Sequence, residues 1–321
     1  MSRRKKDLRD ACRTALAQCL AVKPRESVLV ITDAPLRAIG YAFFDESKSM
    51  GNETVLVEII ERQEHGGEPP SVVAQMMKNV DVVVAPTSRS LSHTTARMMA
   101  SRAGVRIATL PGVTEDMMLR ALTIDYDELN KVTSELARLL TLGRHVKLTC
   151  PRGTDLTMSI EGRKGYADVG LIDRPGLFSN LPAGEAFIAP VEGTTRGRAV
   201  FSGSFSSLGV LDRQLVMEIE QGEVRRVEGE KAEVMLRKME AAGRSGRNIA
   251  ELGVGTNPKA KISGVTLEDE KVLGTVHIAV GDNKNIGGRT KAIYHLDGMI
   301  LEPTLWIDDK RVLAEKKLFL G

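Results

Sequence analysis

Hydrophobic and polar positions along the chain fall into two textures that meet near residue 143. Between residues 26 and 110, short unbroken Val/Ile/Leu runs alternate with segments whose apolar residues recur at helical spacing. ESVLVITD, NETVLVEII, DVVVAPTS and VRIATLPG read as strands; residues 38–50, VVAQMMKNV and TTARMMASRAG read as the helices between them. Strands that are apolar on both faces, each followed by a helix, imply a parallel sheet covered on both sides. Leu8, Ala11, Cys12 and Leu16 recur at helical spacing, so the N-terminus reads as an amphipathic helix with a basic start. Residues 114–142 read as mostly helical, and the apolar stripe of YDELNKVTSELARLL places a domain boundary near Gly143.

Beyond residue 144 the pattern changes to short strands punctuated by glycine: HVKLTCP, DLTMSIEG, EAFIAPVEG, GRAVFSGSF and GVLDRQLVMEIEQGEV. One helix, KAEVMLRKMEAAG, stands among them and runs into RNIAELGVG. The expected class is therefore α/β. An open parallel sheet with helices on both faces spans 1–143, and a β-rich α+β domain that binds metal spans 144–321.

Composition narrows the function classes. In 321 residues, 42% hydrophobic and 27% charged content are those of a soluble globular protein. A net charge of +3 and 4% aromatic residues give no support to a nucleic-acid binder. Cys12, Cys19 and Cys150 are too few and too scattered for a disulfide framework, so reduced thiols and a cytoplasmic location are expected. No run reaches membrane-spanning length, and no G-x-G-x-x-G or G-x-x-x-x-G-K phosphate loop follows the first strand. The carboxyl ends of the parallel strands offer Thr32-Asp33, Pro86-Thr87-Ser88 and Pro111-Gly112, with Ser92 expected to cap the third helix beside His93.

The chemistry concentrates in the second half. In TVHIAV, Val276, Ile278 and Val280 share one strand face, and His277 shares the other with Thr275 and Ala279. In YHLDG, His295 and Asp297 are two residues apart and point the same way. Two imidazoles and a carboxylate on neighbouring strands suit a divalent metal. Glu185, opening AFIAP, and Glu251, alone among apolar residues in NIAELGVG, are acids in settings that favour pairing or metal ligation. Glu192 in PVEG is a further, more ambiguous acid.

The order NLPAGEAFIAP, AELGVGTNP, TVHIAVG, HLDGMI resembles the aminopeptidase T / aminopeptidase S family of dinuclear metallo-aminopeptidases from about residue 144 to 302. The resemblance implies that Glu185, Glu251, His277, His295 and Asp297 hold two zinc, cobalt or manganese ions. It also implies a peptide substrate and a homodimer. Lys284 stands where that family carries a catalytic tyrosine; Lys284 or Arg289 is expected to stabilise an oxyanion, with Glu192 as the candidate general base. The same superfamily resembles the dihydroxypyridine ring-cleaving dioxygenases. That alternative implies a small aromatic substrate and one Fe(II) on His277, His295 and Asp297. A non-catalytic metal or ligand binder is the third reading. Neither nucleic acid nor membrane is expected as a partner.

Overall fold

A computed structural model describes residues 3–321. The chain divides into two compact units, Met1–Asp127 with Val169–Ala183, and Glu128–Asp168 with Gly184–Gly321.

The first unit is built on a five-stranded parallel sheet in the order Glu53–Ile59, Ser27–Asp33, Val82–Ala85, Arg106–Thr109, Phe178–Asn180. The unbroken Val/Ile runs account for its burial: Leu29, Ile31, Val83, Ala85 and Ile107 form its core with Val73, Met77 and Ala100 of the connecting helices. The sheet with its helices is the open α/β layer read from the sequence. The third helix, Thr95–Arg102, is capped by Thr94, whose hydroxyl accepts from the Arg97 amide at 3.2 Å. Ser92, the expected cap, is instead buried and hydrogen-bonded to Thr109 and Asn180, each at 2.8 Å.

The second unit is β-rich. An eight-stranded sheet and a seven-stranded sheet enclose a core that includes Leu148, Leu156, Phe201, Leu215, Leu252, Ile278 and Leu305. Helix Ala232–Ala242 adds Met235 and Met239 to it. The division differs from the one expected at residue 143. Leu136, Ala137 and Leu140, the apolar stripe of helix Tyr126–Leu142, belong to the second core, because the helix buries that stripe against the antiparallel sheets. Residues 169–183 return to the first unit, where Phe178–Asn180 extends the parallel sheet beside Arg106–Thr109. No described helix is long and apolar enough to cross a membrane.

Four neighbouring strands of the seven-stranded sheet position the site: Glu185–Ile188, Ile249–Gly255, Val276–Gly281 and His295–Ile300, each antiparallel to the next.

Candidate metal centre

Register decides which side chains meet. Glu251 pairs with Ala279, and Ala279 with Asp297, so the two acids lie in one row across the sheet. His277 pairs with Gly253, Glu185 with Gly255, and His295 with Gly281. Cross-strand partners share a face, so all five candidate ligands project from one side among Gly253, Gly255, Ala279 and Gly281. Leu252, Val254, Val276, Ile278, Val280 and Ile300 point the other way, into the core. Small neighbours are a geometric requirement. A Cβ on Gly253 would lie 1.9 Å from the His277 Nε2.

The donors form two groups that share Glu251. In the inner group, His277 Nε2 lies 3.1 Å from Glu251 Oε1 and 3.2 Å from Glu185 Oε2. In the outer group, His295 Nε2 lies 3.3 Å from Glu251 Oε2 and 3.2 Å from Asp297 Oδ1. Ligand atoms bound at about 2.1 Å to a common ion sit about 3.0–3.4 Å apart, so both groups have the spacing of a coordination sphere. Glu185 Oε2 is buried without a hydrogen-bond donor, a state a cation would relieve. These residues fit a divalent metal. His277 is fully buried whereas the His295 side chain is 33% exposed, so the outer group is the one solvent reaches. The pairing of His277 with His295 and Asp297, read from sequence, is not one of these groups. Each imidazole sits instead between two carboxylates, because Glu251, opposite the small Ala279, reaches with one oxygen to His277 and with the other to His295.

Outer contacts hold the ligands. His295 Nδ1 is 2.6 Å from the Asp282 carbonyl, which fixes the proton there and leaves Nε2 for the centre. The Asp297 amide donates to the Ser206 hydroxyl at 3.0 Å, and that hydroxyl is 3.4 Å from Asp297 Oδ2. Electrostatics follow from the packing. Burial opposes ionisation of Glu251, but His277 and His295 outweigh it and hold its carboxyl down to about 2. Burial likewise opposes protonation of the imidazoles, yet Glu185 and Glu251 raise His277, and Asp297 with Glu251 raises His295, well above the ordinary range.

Three residues at the centre escaped the sequence reading: Lys271, Glu270 and Asp168. Lys271 is buried, with its ammonium 2.6 Å from Glu185 Oε1, 2.9 Å from Glu270 and 3.0 Å from Asp168. Burial pushes the Glu270 carboxyl up to about 8, against the pull of Lys271. The only sequence signal of Lys271 and Glu270 is the run LEDEKV, which reads as solvated charge.

Glu192 and Lys284 lie outside both donor groups. Glu192 clasps the loop between the histidine strands: Oε1 accepts from the Asn283 side chain at 3.0 Å and the Arg289 amide at 2.7 Å, and Oε2 meets Arg163. Although burial raises it, these donors hold its carboxyl below the usual range. Lys284 is exposed on that loop, in the turn Lys284–Ile286. Tyr294 points away from the centre, donating to the Gly246 carbonyl at 2.9 Å.

Comparison with known families matches residues 7–319 to 2,5-dihydroxypyridine 5,6-dioxygenase, NicX. The chain belongs to this dioxygenase family. It is 23% identical over 256 residues to the 2,5-dihydroxypyridine 5,6-dioxygenase of Pseudomonas putida KT2440, covering 74% of this chain and 70% of that one. The solved structure of 2,5-dihydroxypyridine dioxygenase from P. putida KT2440 superposes with a TM-score of 0.83 at 19% identity, over 98% of this chain and 97% of that one. Wild-type AmpT from Thermus thermophilus superposes with a TM-score of 0.73 at 16% identity, over 98% and 99%.

These matches correct the peptidase expectation. The family and the curated relative are dioxygenases, so the aminopeptidase, hydrolase and protease readings do not stand. The likeness to AmpT is one of fold. A shared fold does not fix a reaction. The chain is an enzyme of the dioxygenase family with residues suited to a metal.

Proposed function

We propose that this protein is a mononuclear non-heme Fe(II) dioxygenase that opens the ring of a dihydroxylated pyridine. The observation that carries the reading is the outer donor group, Glu251, His295 and Asp297, facing solvent in a chain matched to this family over nearly its whole length. Those three residues would hold the ion. When bound, Fe(II) supplies the one-electron chemistry that dioxygen needs to react with a closed-shell aromatic ring.

The remaining residues act on position and charge. The Asp282 carbonyl keeps a proton on His295 Nδ1, so the imidazole cannot rotate its Nε2 away. Ser206 fixes the Asp297 carboxylate on the same side. Glu251 joins the outer group to His277, which lies 3.1 Å from its second oxygen, and the two imidazoles keep that carboxylate ionised. The clasped loop 282–290 lies beside His295 in sequence.

The test is oxygen uptake by anaerobically purified, Fe(II)-loaded protein given 2,5-dihydroxypyridine, with ring loss followed by ultraviolet absorbance. One O2 consumed per ring lost is expected, and Asp297→Asn should lose iron and turnover together. Full turnover by Asp297→Asn, or no uptake with any dihydroxypyridine, would overturn the reading.

A further inference from the structure

We infer that Lys271 is a built-in cation that limits this centre to one metal ion. The inference rests on the single-iron reading above and explains how a scaffold with two donor groups reaches it. The Lys271 side chain is 1% exposed, and the three N–H bonds of its ammonium match three carboxylates: Glu185, Glu270 and Asp168. A lysine this buried is found only where it is paired.

Its position is fixed by backbone. The Lys271 amide donates to the Glu268 carbonyl at 2.9 Å, and its own carbonyl accepts from the Asn257 amide at 2.8 Å. The turn it belongs to lies so close to the Glu251 strand that a Cβ on Gly255 would fall 2.1 Å from the Val272 carbonyl. With its backbone so placed, the buried ammonium is held by its three carboxylate partners when a second positive charge arrives.

An ion in the inner group would bind Glu185 Oε2, Glu251 Oε1 and His277 Nε2. Both of its anionic ligands are already committed. Glu185 is shared with the ammonium through Oε1, and Glu251 Oε2, which faces His295, would serve the outer ion. The outer group keeps Asp297, which no lysine or arginine meets among the described ion pairs. A divalent ion in the inner group would thus lie one carboxylate away from a fixed positive charge in a buried setting, where like charges repel strongly. The outer group fills and the inner group stays a carboxylate–imidazole support for Glu251.

Manganese(II) under anaerobic conditions is the probe, counted by elemental analysis after gel filtration and by electron paramagnetic resonance. The wild-type chain should bind one Mn(II), with the six-line signal of an isolated ion. Lys271→Met should bind two with an exchange-coupled signal, and its second ion about 100-fold more tightly than wild type. Lys271→Gln combined with Asp168→Asn removes one charge of each sign, keeps the pocket nearer neutrality where the single variant does not fold, and should also gain the second ion. Two coupled ions in wild type, or a folded variant that stays at one, would overturn the inference. Oxygen uptake by the wild type is read separately. A single-ion protein inactive on dihydroxypyridines would fail the proposed function and leave this inference standing.

Discussion

At the scale of single residues, Gly253 and Glu251 govern the centre in opposite ways. Gly253 contributes nothing to coordination, yet any side chain there meets the His277 imidazole. Gly253→Ala should therefore weaken metal binding by about 10–100-fold, the range seen when supporting contacts of a ligand are lost. Retention of wild-type affinity in a competition titration would count against the packing argument. Glu251 sets a pH dependence. Its carboxyl is held near 2, below an ordinary value of about 4.3, so the stability it contributes is present above about pH 4.3 and lost as pH falls towards 2. His277 and His295 carry the opposite sign. Their raised values contribute stability below about pH 6.5 that is lost as pH rises through those values. A ligating imidazole must give up its proton at the donor nitrogen, so ion binding should release protons and tighten with rising pH. Calorimetry in two buffers of different ionisation enthalpy reads that release directly; identical heats in both would refute it.

At the scale of elements, the antiparallel register of four strands does most of the work, and a clasp does the rest. Arg163, Glu192 and Asn283 tie the loop 282–290 to the sheet that carries the ligands. Glu192→Ala removes the acceptor common to these contacts. Hydrogen exchange at 283–290 should accelerate at least about tenfold while exchange in strand Val276–Gly281 stays unchanged. Uniform acceleration through both would mean that the clasp supports the sheet as a whole. Much of this level is legible in the sequence. TVHIAV and YHLDG have the alternation of half-buried strands, so the faces of His277, His295 and Asp297 follow from the residue pattern alone. The grouping does not, because it depends on Glu251 pairing opposite Ala279 across a bulge at Ile249/Glu251. Lys271 is hidden for a related reason. Charge in a turn looks solvated until tertiary packing closes over it, and LEDEKV has no apolar pattern to signal burial.

At the scale of the molecule, the two textures of the sequence correspond to two kinds of sheet, but the chain does not divide between them at one point. Strand Phe178–Asn180 has three half-buried residues and no periodicity, too little for sequence to place it in the parallel sheet. Its pairing with Ile107, Ala108 and Thr109 makes it the edge partner of Arg106–Thr109. A fragment ending at residue 143 should consequently expose the apolar strand Arg106–Thr109 as a free edge and aggregate. A chain in which a short Gly/Ser linker joins residue 127 to 169–183 should remain monodisperse in light scattering. Equal solubility of the two would show that the fifth strand is dispensable. The same thread through the fold has a consequence in time. On a ribosome, the parallel sheet cannot be completed when its first four strands have emerged. It must wait, with an open edge, while the residues 128–168 that begin the other unit are made. Any factor that shields nascent chains would meet this protein in that interval, with its oldest strands finished and still unclosed.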